Sequence, residues 1–564
     1  MPKSTSSEMK IACALALIVS MAVFQAVPAA GRKDGRTFDG PRIAWDTSSE
    51  SKIAPRGGYS RVRRLPDGSY VAAFEDRRGN VNFSRSADMV TWSKGLTVIP
   101  AFVVRSADRD VRVNVANAEI FPLADGTLLC GGNYRPSAED VYPYSIVVAR
   151  SEDGGVTWSE PSVLYEAGPR FGDGCWEPSF LQLPDGRVQV YFANENPYRQ
   201  SDEQEISMLE SRDGGRTWSR EAVTVSFRKG HRDGMPVAEC FGDEVVVVIE
   251  DNNIGQFKPY TVRSGLDRLW EVPVDADSEM REYAMSESFP DSVYMGAPYI
   301  VRLPGGESLI SYQTTAGRTE EWELSCMEVA VGDASARSFS NRTRPFNVPL
   351  DHEGKWNAVA VADSSTVIAV SALDKDGQVI APWVKKGYIF REGIVPRGPE
   401  PARILFIGSR SRHNMTVSAS MDRGRISMNV NVNDDDIVPG DAAGLLIHTG
   451  RLNDGHVTRK SYRIVVSCDA SSVSVFRGSR DGSWRGIDGR MLAVSQAAEG
   501  TLQDGYSLRI LTDRGFARKL RPCFRMTAVH HDASASKETE PEFFIFSDPE
   551  IPSTWLKCRI FIAR

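Results

Sequence analysis

Two glutamates in this chain stand where a carboxylate is costly. Glu250 ends the run Val245-Val246-Val247-Val248-Ile249, and Glu177 lies in Cys175-Trp176-Glu177-Pro178. A carboxyl group at the end of an apolar strand is partly desolvated, which raises its pKa toward the range useful for proton transfer. Two carboxylates flanking one glycosidic bond suffice to hydrolyse it, and their separation sets the stereochemical outcome. Buried glutamates also serve as ion-pair partners, so the pair needs a scaffold that brings it together.

That scaffold is legible as a repeat. Six turns break hydrophobic runs about sixty residues apart: Leu65-Pro66-Asp67-Gly68, Leu123-Ala124-Asp125-Gly126, Leu183-Pro184-Asp185-Gly186, Phe241-Gly242-Asp243-Glu244, Leu303-Pro304-Gly305-Gly306 and Val361-Ala362-Asp363-Ser364. Short strands repeated at this period indicate stacking of one supersecondary unit. Six units predict an all-β, six-bladed β-propeller with four strands per blade around a channel. Residues 41–55 supply a strand that closes the ring with the last blade.

If each turn joins strands 1 and 2, one rim of the channel carries the starts of first strands and the ends of second strands. That rim collects Tyr59, Arg61, Asn117, Glu119, Glu177, Met235, Pro236, Pro298, Tyr299, Trp356 and Asn357, with Glu75, Asp76, Asn133, Tyr134, Asn194, Glu195, Glu250, Asp251 and Tyr312. Carboxylates and aromatic rings together suit sugars, the acids moving protons and the rings stacking on sugar faces. His231, Arg232 and Asp233 in the loop entering blade 4 are placed to grip hydroxyls. Arg61, Glu75, Asp76, Glu119, Glu195, His231, Arg232, Asp233 and Tyr299 are the candidate substrate-binding residues.

A second motif recurs. Ser151 to Trp158 and Ser211 to Trp218 both read S-x-D-x-G-x-T-W, and Ser86 to Trp92 is one residue shorter; Ser264 to Trp270 and Gly332 to Phe339 are worn copies. These resemble the Asp boxes of sialidase-like propellers. Their physical content is a tight hairpin: Asp accepts turn amides, Gly takes positive φ, and Trp packs between blades. They mark fold, not catalysis.

Trp176-Glu177-Pro178, Gly234-Met235-Pro236 and the apolar strand ending in Glu250 resemble family 93 of the glycoside hydrolases, over roughly residues 40–390. The resemblance implies an exo-α-1,5-L-arabinanase that acts with retention through two glutamates. Glu177 would be general acid/base and Glu250 nucleophile, or the reverse, with Tyr312 or else Tyr299 as the tyrosine near the nucleophile. A sialidase is the alternative. It needs three arginines on a carboxylate and a tyrosine nucleophile; Arg61, Arg232 and Arg302 can be nominated, but Arg302 belongs to the opposite rim. A non-catalytic glycan-binding propeller is the other alternative.

The flanks complete the organisation. Lys3 and Lys10 precede an apolar run from Ile11 to Val27 and then Pro28-Ala29-Ala30-Gly31, the order of a secretory signal over residues 1–30. An exported protein, periplasmic or extracellular, with no membrane insertion after signal removal is expected. The propeller occupies 31–392, a Pro/Gly-rich linker 393–401, and a β-sandwich 402–564. Phe406-Ile407-Gly408-Ser409 and the turn around Asp434-Asp435-Asp436 resemble family 9 carbohydrate-binding modules. The three aspartates offer oxygen ligands for a structural calcium, or form a solvated acidic turn. No cofactor is required by this reading. Seven cysteines beyond Cys13, irregularly spaced and without a CxxC pair, indicate neither a disulfide framework nor a zinc site. A balance of 67 basic against 74 acidic side chains, net charge −7, gives no basic stripe for nucleic acid.

Overall fold

In a computed structural model of the chain, the described residues are 40–106, 109–375, 377, 379–408, 414–434, 437–449, 457–496, 505–521, 523–531 and 556–560. The expected signal segment 1–30 lies outside them, as do Asp435 and Asp436. No helix among the described residues is long and apolar enough to cross a membrane.

Six antiparallel sheets form a propeller. The inner, channel-lining strands are Gly58–Arg64, Asp110–Pro122, Cys175–Gln182, Asp233–Phe241, Met295–Arg302 and Gly354–Asp363. Each predicted turn joins an inner strand to its second strand: Tyr70–Glu75, Leu128–Pro136, Val188–Asn194, Glu244–Asp251, Ser308–Thr314 and Thr366–Leu373. Arg42–Lys52 pairs antiparallel with Ala381–Phe390 as the outermost strand of blade 6, so the first and last strands of the propeller close it. Blade 2 carries a fifth strand, Phe102–Arg105, paired with the start of its long inner strand. Both faces of each inner sheet are buried against neighbouring blades, which is why the second strands read as unbroken apolar runs such as Val245 to Ile249.

The Asp boxes sit at the rim opposite the inner-strand starts. Asp153 Oδ1 accepts the amides of Val156 and Thr157, and Ser151 Oγ accepts that of Gly155. Trp158 packs edge-on against Phe83 of blade 1 at 5.3 Å. Gly155 has φ +92°, and a Cβ there would overlap the Phe83 ring.

The C-terminal part is a sandwich of a seven-stranded and a five-stranded sheet over its own apolar core. Strand pairing begins inside the stretch expected to be linker: Gly393–Val395 runs parallel to Leu556–Ile560. Asp434 is buried and faces His530 at 3.7 Å. No cluster of metal-ligating side chains occurs among the described residues. The seven described cysteines are free thiols.

Candidate active site at the channel mouth

The inner strand of every blade has a β-bulge, near its start in five blades and past the middle of the long Asp110–Pro122 strand in blade 2, where one extra residue enters against the second strand. One non-glycine residue in each bulge has positive φ: Tyr59 (40°), Asn117 (56°), Glu177 (53°), Met235 (50°), Ala297 (49°) and Trp356 (55°). Such backbone is strained and persists only where the surroundings enforce it. Tyr59, Met235, Ala297 and Trp356 come from four blades yet form one cluster, with the Tyr59 and Trp356 rings 5.7 Å apart. They can meet only in the channel, so the bulges aim one side chain per blade at its mouth.

Second strands help to hold the bulges. Glu75 accepts the Asn117 amide of the next blade, Glu250 Oε2 accepts the Ala297 amide at 2.7 Å, and Gln313 Oε1 accepts the Trp356 amide at 2.7 Å. Among the described residues the Ala297 amide is the one donor to Glu250, whose Oε1 is turned toward Gly234. Among the described residues no hydrogen bond reaches the Glu177 carboxylate.

The electrostatics follow from burial. Desolvation pushes Glu177 up to about 8; Arg135 opposes the rise, and the charges of Glu250 and Glu195 add to it. Desolvation likewise pushes Glu250 up to about 7, against the Ala297 amide and Arg232. Glu177 on blade 3 therefore feels the charge of Glu250 on the neighbouring blade 4.

Two further groups complete the candidate site, neither of them among the residues singled out in the sequence. Tyr294 crowds Glu250: a Cβ on Gly296 would overlap the Tyr294 hydroxyl and lie 2.6 Å from Glu250 Oε2. Burial first, then the Glu250 charge, raises the Tyr294 phenol well above its ordinary value, and Gln313 Nε2 donates to it at 3.1 Å. Arg135 lies 4.6 Å over the Trp176 ring and donates to Asn117 Oδ1 at 2.6 Å. It is the principal cation acting on both Glu177 and Glu75.

Several expected contacts lie elsewhere. Tyr312 is buried between blades, its hydroxyl donating to Glu328, which Arg342 and Arg344 clamp. Tyr299, Arg61 and Glu119 point into the channel but two residues deeper than the bulges. There Arg61, Arg63 and Tyr299 surround the Glu119 carboxylate, and all but Arg63 are at most 4% exposed. They form a plug beneath the mouth, with no open surface for a sugar. Asp233 is fully buried with Asp251 against Arg281. Asp76 accepts the Arg78 and Asn80 amides of its own turn. Glu195, also buried, accepts from Trp176 Nε1 at 3.0 Å and Gln204 Nε2 at 3.1 Å, and pairs with Arg232. It braces the residue next to Glu177. His231 and Arg232 stay partly exposed at the blade 4 entrance, and Arg232 also pairs with Asp202 at 2.7 Å.

Residues 72–229 match the BNR repeat-like domain. This stretch runs from the second strand of blade 1 to just past the last strand of blade 3 and includes both full Asp boxes. No curated protein matches the chain. Among solved structures, a protein of unknown function from Dyadobacter fermentans is 15% identical over 62% of this chain and 98% of its own, with a TM-score of 0.46. The α-L-arabinofuranosidase Arb93A of Fusarium graminearum is 18% identical over 63% and 98%, with a TM-score of 0.43. The NanB sialidase of Streptococcus pneumoniae is 10% identical over 64% and 70%, with a TM-score of 0.42.

Proposed function

We propose that this chain is an exported, exo-acting, retaining glycoside hydrolase that cleaves α-L-arabinan or a related plant polysaccharide side chain. The observation that carries this reading is the pair of desolvated carboxyls on neighbouring blades, Glu177 raised to about 8 and Glu250 to about 7. The higher of the two is protonated at neutral pH and acts as the acid. Glu177 gives its proton to the glycosidic oxygen as the bond to the anomeric carbon breaks, and Glu250 attacks that carbon to form a glycosyl ester. Glu177 then takes a proton from water, which displaces Glu250 and releases the sugar. The Tyr294 phenol, held protonated, is a donor beside the nucleophile. Exposed Trp322, 5.8 Å from Tyr294, and exposed Phe171, 4.9 Å from Trp176, supply faces on which sugar rings stack.

The closeness of Tyr294 to Glu250 favours a second reading, a sialidase with a tyrosine nucleophile. It is the weaker one. A phenol raised well above its ordinary value is a poor nucleophile, and the Arg61 and Arg63 guanidiniums are engaged by Glu119. Product analysis after separate incubation with linear α-1,5-arabinan and a sialoside decides between them. Arabinobiose as the sole early product supports the first reading, and free sialic acid the second. Binding of arabinan without any product would leave a glycan-binding propeller.

A further inference from the structure

The sandwich carries an arginine-lined cleft that the hydrolytic reading does not use. Strands Val473–Gly478 and Trp484–Ile487 form the hairpin that ends the seven-stranded sheet. A cleft of about 370 Å³ opens beside it, lined by Arg459, Arg477, Arg480, Asp481, Arg485 and Ile487. That volume is in the range of sites for small ligands or single sugar units of a chain.

Arg477 and Arg485 are direct cross-strand partners. Like charges placed opposite one another on adjacent strands destabilise a sheet. The arrangement is nevertheless built in: Arg477 Nε donates to the Arg459 carbonyl at 2.7 Å, which fixes the guanidinium beside its like-charged neighbour. Among the described residues Asp481 is the one acid lining the cleft, and it is occupied by its own turn, accepting the Ser483 amide at 3.1 Å and the Ser483 hydroxyl at 2.7 Å. Among the described residues, none of the four arginines makes an ion pair.

From these four exposed guanidiniums, gathered in one cleft without an acid partner among the described residues, we infer that the cleft is a binding site for the carboxylates of an acidic, uronate-bearing polysaccharide. Guanidinium groups present planar forks that match carboxylates bidentately, and two of them side by side on a sheet edge can engage successive acidic sugars. Nucleic acid fits less well. It is held by many cations along a phosphate track, whereas here four arginines sit in one cleft of a chain with net charge −7. The site would hold the enzyme on an acidic backbone while the propeller works elsewhere on the polymer. Binding itself is independent of the hydrolytic reading.

The test is affinity electrophoresis and calorimetry on the full chain, with polygalacturonate, neutral arabinan, inorganic phosphate and duplex DNA as separate probes. Polygalacturonate should bind, more weakly as salt rises. The double variant Arg477→Gln/Arg485→Gln should weaken it by at least about tenfold, in line with the loss of close charge pairs, while binding of neutral arabinan stays unchanged. Polygalacturonate binding that is unaltered in the folded double variant overturns the proposal. So does DNA binding at equal salt as tight as that of polygalacturonate, or binding of phosphate with none of the polymer. Arg485→Gln alone should raise the melting temperature of the ligand-free protein by relieving the repulsion; a lower one contradicts the strained pair.

Discussion

The two rims of the propeller use the same chemical group in opposite ways. On the Asp-box rim, Asp153 and Asp213 are open to water and accept amides and hydroxyls of their own hairpins, which hold both carboxyls down near 2. At the channel mouth, Glu177 and Glu250 are desolvated and have at most one donor, which drives them up to about 8 and 7. Carboxylates saturated by donors are fixed as anions and serve the fold. Half-buried carboxylates with one donor or none keep a proton to higher pH, and that difference in environment, not residue type, separates the two rims.

The largest break in this comparison is removal of either mouth acid. Glu177→Gln and Glu250→Gln should each lower turnover by about a thousandfold or more, as expected for an acid/base or nucleophile, measured as sugar released from arabinan. Glu250→Gln should still fold, because Gln313 makes the equivalent bond to the next blade with an amide oxygen. Tyr294→Phe should cost about tenfold in kcat by the loss of one hydrogen-bond donor near the reacting centre, read from steady-state rates.

The opposite rim should respond in stability alone. Gly155→Ala forces a Cβ into the Phe83 ring at positive φ and should destabilise by about 1–3 kcal/mol. A denaturant melt should show the loss, with kcat/KM unchanged.

The smallest effect expected is on the pH dependence of stability. Both mouth acids have folded pKa values above their unfolded ones, so their contribution is fully present below about 4.5 and is lost as pH rises through 7 to 8. Glu177→Gln should therefore narrow the fall in melting temperature between pH 6 and pH 9 by a few degrees. The turnover profile follows the same groups: activity declines above about 8 as Glu177 loses its proton, and below about 7 as Glu250 gains one.

Much of this was legible in the residues. The turn spacing carries the six blades, and the strand that closes the ring follows from the hydrophobic run left over at the start. In five blades the strained bulge residue lies eight positions before the third residue of the turn, and seven before it in the last. Glu177 and Glu250 therefore fall at the mouth by counting alone. Counting fails one step further out. Tyr294 lies eleven positions before the third residue of its turn and Arg135 ten after, against eight before for Glu177 and seven after for Glu250. The bulges were also invisible, since a single inserted residue leaves the apolar pattern intact while it re-aims one side chain. That is why Tyr299, Arg61 and Glu119 were expected at the mouth but lie in the plug beneath it. Tyr312 failed for another reason: side chains of a second strand alternate between two blade interfaces, and its neighbour Gln313, not Tyr312, faces the mouth cluster.

The central claim, that burial with at most one donor raises the carboxyls of both mouth glutamates to near neutrality, can be measured without knowing the substrate. Carboxyl-carbon NMR titration of the protein labelled at glutamate Cδ reports each side chain directly. Two resonances titrating near 7 and 8, one lost in Glu250→Gln and the other in Glu177→Gln, would bear the account out. A profile in which every glutamate titrates below about 5, close to the ordinary carboxylate range, would contradict it.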